Sequence, residues 1–242
     1  MIISITALVF SQLPPVGTWI NRIQVDAVVG RRIGLDNAIG IIGYQIFIDL
    51  KNSGNRTANL TKPRLHVTYP NGTIKKLEAQ FYSKIIAGQD TPLQFPITNI
   101  SIGPGLNWSE MVSFYQSFSP TEDEVLNRIR LKISQSIFSK QVAMTQSQSS
   151  QFGRIFEADA PFVDEAIQFF SRKFDLEKGA YKISVMADIN GTETTLNRLS
   201  FTLYDFHIQT IRSQTEEYKY GAGINFSTIQ LKQVGVWVTE AE

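Results

Sequence analysis

Tyr44-Gln45-Ile46-Phe47-Ile48-Asp49-Leu50 decides the fold class. Tyr44, Ile46, Ile48 and Leu50 are all apolar, while Gln45 and Asp49 stand between them. A period of two sends successive side chains to opposite faces, so this stretch predicts a strand with one face on a core. Asn52-Ser53-Gly54-Asn55 then supplies a turn, because Asn and Gly tolerate backbone conformations that other residues resist.

The same reading extends along the chain. Pro63-Arg64-Leu65-His66-Val67-Thr68-Tyr69 is the next strand, and Pro70-Asn71-Gly72-Thr73 predicts a hairpin. Asn71-Gly72 suits a type I′ turn, whose two central residues both need positive φ. Strands are predicted over 75–82, 92–97 and 108–118, with Ile102-Gly103-Pro104-Gly105 as a corner. Residues 181–189 and 194–204 flank Asn190-Gly191, a second hairpin signal of the same type, and 224–231 and 234–238 read as closing strands. The stretch 30–43, with its glycines, reads as a linker.

Helical signals are fewer. Ser119-Pro120-Thr121-Glu122 has the form of a capping box with Pro at the first helical position, predicting a short helix over 120–127 before a strand near 129–138. Residues 140–151, rich in Ser and Gln, predict a loop. Ala160-Pro161 opens a helix to about 174, with Phe162, Ala166, Phe169 and Phe170 on or beside one face. Asp205 is placed to cap a helix reaching about 218.

Ile102–Gly105 and Leu176-Glu177-Lys178-Gly179 share one logic: an apolar residue, a glycine-containing turn, then an alternating strand bearing a large aromatic. The pattern resembles the corners of immunoglobulin-like and fibronectin-like sandwiches, best over 44–52 and 176–203. The Cys…Trp…Cys spacing of true immunoglobulin domains is missing. The resemblance implies a mainly β, immunoglobulin-like β-sandwich with a few short helices, and no activity, since fold does not carry function. The expected organisation is an apolar segment over 1–21 and one β-sandwich unit over 22–242, with a helical insertion around 159–174.

Residues 1–21 contain no Lys, Arg, Asp or Glu, and Arg22, Arg31 and Arg32 follow. A spanning helix needs about 20 apolar residues, whereas Pro14-Pro15 interrupts this segment after a short apolar run. The expectation is a partial membrane anchor contacting lipid through residues 1–20, with the main domain on the cytoplasmic side because the basic residues follow it. A buried strand, with Ile3, Ile5, Ala7 and Val9 alternating, is the other reading, and a soluble or exported protein the other location.

Composition narrows the chemistry. The 242 residues include no cysteine, which removes thiol catalysis, thiolate metal sites and disulfides, and suits a prokaryotic protein. Net charge is +1 with no basic run, so no nucleic acid is expected as a partner. Hydrophobic residues make up 43%, too ordinary a share for the remainder to be an integral membrane protein.

Candidate sites are sparse. His66 and His207 lack partners at ligand spacing. Glu122-Asp123-Glu124, and Asp159, Asp164 and Glu165, suit the first turns of helices, where acids favour the helix dipole. Gly30-Arg31-Arg32-Ile33-Gly34 lacks the strand–turn–helix setting of a phosphate loop. N-x-Ser/Thr acceptors occur at Asn55, Asn59, Asn71, Asn99, Asn107, Asn190 and Asn225, and Asn71 and Asn190 are explained by their turns. No catalytic residue, cofactor or metal is expected. The sequence supports a non-enzymatic, membrane-associated protein acting by protein contacts through an unknown partner, with Tyr218, Tyr220 and Trp237 as contact residues. The alternative is an exported protein binding carbohydrate or another surface ligand on exposed aromatics such as Trp108 or Trp237.

Overall fold

The computed structural model describes residues 22–38, 41–85, 92–147, 156–223 and 233–241. Its strands are β1 (Val25–Ala38), β2 (Ile41–Asn52), β3 (Ala58–Thr68), β4 (Ile74–Lys84), β5 (Leu93–Pro96), β6 (Asn99–Ile102), β7 (Asn107–Tyr115), β8 (Gly179–Ile189), β9 (Thr192–Leu203) and β10 (Val234–Glu240). Helices α1 (Pro120–Ser147) and α2 (Ala160–Lys173) lie between β7 and β8. Helix α3 (Asp205–Ser213) and a 3-10 turn (Gln214–Tyr220) lie between β9 and β10.

Eight strands close on themselves in the order β4-β7-β2-β1-β10-β9-β8-β3, and β3 pairs back onto β4. All these pairings are antiparallel. Strand β5 extends β4 and β6 extends β3. The immunoglobulin-like sandwich expected from the sequence is corrected to a closed barrel with extra strands and helices. Alternation cannot distinguish the two, because a strand with one buried face reads alike in a sandwich and in a barrel wall.

Closure depends on the stretch that reads as a linker. Strand β1 pairs with β2 over its whole length and with β10 from Arg32 onward, so it joins two parts of the sheet that would otherwise end in open edges. A bulge between Val29 and Ile33 re-aims it midway. Its neighbourhood needs glycine for space. A Cβ on Gly34 would overlap the Gln233 side chain, and one on Gly43 would overlap Asp36 and Tyr115.

The barrel interior is filled. Ile33, Leu35, Tyr44, Ile46, Val67, Phe114, Tyr181 and Val185 are buried there, and the Tyr181 ring stacks on Phe201 with centroids 4.9 Å apart. A void of about 10 Å³ remains among residues including Ile48, Leu60, Trp108 and Val185, roughly the space of one water. Eight strands leave an interior about as wide as the side chains that fill it. At one end, buried Asn52 closes the barrel, its Nδ2 donating to the carbonyls of Arg56 (2.7 Å) and Ile102 (2.8 Å).

The helices cover the other end. Leu126, Ile129 and Ile133 recur every three or four residues along α1 and are buried. Residues 129–138, expected as a strand, therefore continue α1, and residues 140–147 of the expected loop belong to it as well. The capping box at its start forms as read: Ser119 N–H donates to Glu122 at 3.0 Å and Glu122 N–H to Ser119 Oγ at 3.3 Å. Helix α2 matches the helix expected from Ala160 to about 174, burying Ala166, Phe169 and Phe170. Tyr204, not Asp205, is the N-cap of α3, and its backbone N–H donates to His207 Nδ1 at 3.1 Å.

The two hairpins differ. Asn190 (φ 48°) and Gly191 (φ 86°) form the expected two-residue loop between paired Ile189 and Thr192. At the first, Pro70-Asn71-Gly72 is a three-residue loop closed by Tyr69 N–H to the Thr73 carbonyl, and only Gly72 (φ 84°) is left-handed. Pro70 fixes a negative φ and lengthens the loop by one residue. No helix among the described residues is long and apolar enough to cross a membrane. The apolar segment 1–21, the expected strand 224–231 and Asn225 lie outside the described residues.

Candidate functional site

With the interior filled, a concave surface large enough for a ligand lies outside the barrel. An open groove of about 800 Å³ runs between α1 and the outer wall formed by β4, β5 and the end of β7. Pockets of this size suit small organic ligands.

One wall is a helical stripe. Pro120, Asp123, Leu126 and Arg130 follow one another at intervals of three or four residues and so share a face of α1. The opposite wall comes from Gln80, Phe81, Gln94 and Tyr115, and Gln116, Ser117 and Phe118 floor the passage from β7 into α1. The Phe81 and Tyr115 rings pack with centroids 5.6 Å apart.

Tyr115 is fixed from behind. Its hydroxyl donates to Asp36 Oδ2 at 3.1 Å, and Gln45 Nε2 donates to the same oxygen at 2.8 Å. Burial pushes the Asp36 carboxyl above its ordinary value, against the pull of those two donors. Burial and then the Asp36 charge raise the Tyr115 phenol. Gly43 leaves the space in which this pair meets.

Arg130 is the unusual member. Its Nε is buried without a hydrogen-bond partner, and burial pushes the guanidinium below its ordinary value, opposed by the Asp123 charge. The other basic residues of α1 have acids within 4.0 Å: Arg128 and Lys132 meet Glu165, and Lys140 meets Asp159. Asp123 accepts instead from Asn127 Nδ2 at 3.2 Å. Arginine stays charged in proteins, so this half-buried cation lines the groove with the Asp123 charge on the same helix, but no acid within 4.0 Å among the described residues, to offset it.

The residues singled out from the sequence go elsewhere. Tyr218 is fully buried, its hydroxyl donating to Asn37 Oδ1 at 3.0 Å, so it belongs to the core under the helices. Tyr220 is half-buried two residues on, with Lys219 Nζ over its ring at 4.8 Å. Trp237, 71% exposed, stands on the outer face of β10 with Arg32 over its ring at 5.9 Å. Val28 and Phe47 are also exposed on this wall, whereas Trp108 faces inward against Tyr82. His66 lies in β3 and His207 in α3, and burial lowers both. Among the described residues no three His, Asp or Glu side chains converge as metal ligands do. Glu122 pairs with Lys173 and Asp159 with Lys140, which are structural roles.

Sequence reading missed the groove because it ended the first helix at 127. Arg130 then fell in an expected strand, and the stripe 123, 126, 130 had no helix to lie on. The signal was present in the burial period of Leu126, Ile129 and Ile133.

No protein-family model matches the chain, and no curated protein matches it. Among solved structures, the crystal structure of the proposed ApaA protein from Bordetella pertussis aligns with 74% of this chain and 94% of its own. The identity is 7% and the TM-score 0.30, a likeness too slight to carry an argument.

Proposed function

We propose that this barrel binds a small polar ligand in the groove between α1 and the β4–β5–β7 wall. The observation that supports the reading most is the groove itself, about 800 Å³ in volume and mixing aromatic rings, amide side chains and an arginine. Polar groups set among aromatic rings in a recess are what hold and orient a ligand. The outer wall around Trp237 is where a protein partner would rest under the protein-contact reading. The groove is preferred because it is concave and holds a charge that a ligand would satisfy.

Ligand-observed and amide-detected NMR with a library of small polar fragments tests the proposal. Binders are expected to shift Phe81, Tyr115 and Phe118, and Gln80→Trp, a change at an exposed rim residue, is expected to abolish those shifts. Fragments that bind elsewhere, or as well to Gln80→Trp, would overturn it.

A further inference from the structure

We propose that the ligand of this groove is an aromatic monocarboxylate, its carboxylate paired with Arg130 and its rings against Phe81, Tyr115 and Phe118; this rests on the groove being the binding site. Three observations carry it. First, Arg130 lines the groove and no acid comes within 4.0 Å of its guanidinium among the described residues, while Arg128, Lys132 and Lys140 on the same helix each have one. A planar guanidinium offers parallel donors that match a carboxylate in two places at once.

Second, the charges lining the groove limit the anion. Asp123 and Arg130 are the acid and the base among its lining residues, and they cancel. They sit seven residues apart on α1, about 10 Å along its axis, so the Asp123 repulsion on a ligand at Arg130 grows with each negative charge the ligand carries, and a single charge meets the least of it. A phosphate dianion would need a second cation, which the lining does not supply.

Third, the remaining surface is aromatic and amide rather than hydroxyl-rich. Phe81 and Tyr115 are already packed against each other, and the Tyr115 hydroxyl is held by Asp36, so the ring face is presented in a fixed orientation. A preset aromatic wall favours a flat apolar body at low entropic cost.

The test titrates the full chain calorimetrically with 1-naphthylacetate, its neutral amide 1-naphthylacetamide, and inorganic phosphate. The carboxylate is expected to bind at least tenfold more tightly than the amide. Arg130→Gln is expected to remove that preference, so that acid and amide bind alike, and its urea unfolding midpoint beside the parent's reports that the variant is folded. Arg130→Lys should recover part of it. Equal binding of acid and amide, or an Arg130→Gln protein that keeps the preference, overturns the carboxylate assignment and leaves the groove reading standing. Phosphate binding that depends on Arg130, in place of the carboxylate, overturns the monoanion. If fragments occupy the groove but neither naphthyl probe does, the aromatic body is wrong. If neither the fragments nor the probes bind there, the groove reading falls and takes this one with it.

Discussion

The Tyr218 hydroxyl donates to Asn37 Oδ1 at 3.0 Å, joining two buried side chains 181 residues apart in the chain. Asn37 Nδ2 donates in turn to the Ile211 carbonyl at 3.3 Å. One asparagine of β1 thus receives the 3-10 turn and holds the end of α3, fastening the helical cap to the barrel. Tyr218→Phe is expected to cost about 1–3 kcal/mol, because Asn37 Oδ1 loses this donor in a buried place. Asn37→Ala should cost more, since it removes both bonds at once. Urea unfolding midpoints measure both, and an unchanged midpoint for Tyr218→Phe would show that the bond is replaceable.

Tyr181 fastens the corner before β8. Its hydroxyl donates to the Glu177 carbonyl at 2.8 Å and accepts from the Glu177 N–H at 3.0 Å. Burial pushes the phenol up to about 12. Tyr181→Phe is expected to lose both bonds at about 1–3 kcal/mol while keeping the ring stacked on Phe201. Hydrogen exchange should show the Glu177 amide opening faster than in the parent protein, and unaltered exchange would refute the role.

That corner shows what the sequence could tell. The aromatic after a glycine turn was legible, and so were the alternating faces of β2, β3, β8 and β9, because strand period and turn chemistry are local. Whether the sheet closes is not local. It depends on β1, where Gly30 and Gly34 mimic a linker yet serve close packing against Phe47 and Gln233. Arg130 was hidden for a similar reason. The β-branched and aromatic residues over 129–138 favour a strand intrinsically, and packing of Leu126, Ile129 and Ile133 on the helical layer overrides that preference.

The groove wall depends on a glycine and a buried acid. Gly43→Ala would drive a methyl into Asp36 and Tyr115, so it is expected to destabilise the fold by about 1–3 kcal/mol. Asp36 gives a pH signature. Its folded-state pKa lies above the ordinary 3.8, so the ionised carboxylate penalises the folded state at neutral pH. The penalty vanishes below 3.8, where the group is protonated folded and unfolded. Asp36→Asn, neutral and of the same shape, is therefore expected to melt higher than the parent at neutral pH and to lose that advantage under acid. Paired melting curves across pH check it, and a difference independent of pH would contradict the assignment.

Glu122 behaves in the opposite sense. The Lys173 ammonium, then the Ser119 backbone N–H and hydroxyl, hold its carboxyl down to about 2 from an ordinary 4.5. A depressed acid stabilises the folded state fully above its unfolded value and loses that contribution as pH falls through its folded one. The stability gap between the parent and Glu122→Gln is expected to be constant above pH 4.5 and to close between 4.5 and about 2. The pair is solvent-accessible, so salt should shrink the gap at neutral pH. Lys173→Gln should reproduce most of the effect, and the double variant should add little to either single change. Full additivity would mean that Lys173 acts elsewhere and that the Ser119 cap alone holds the carboxylate ionised.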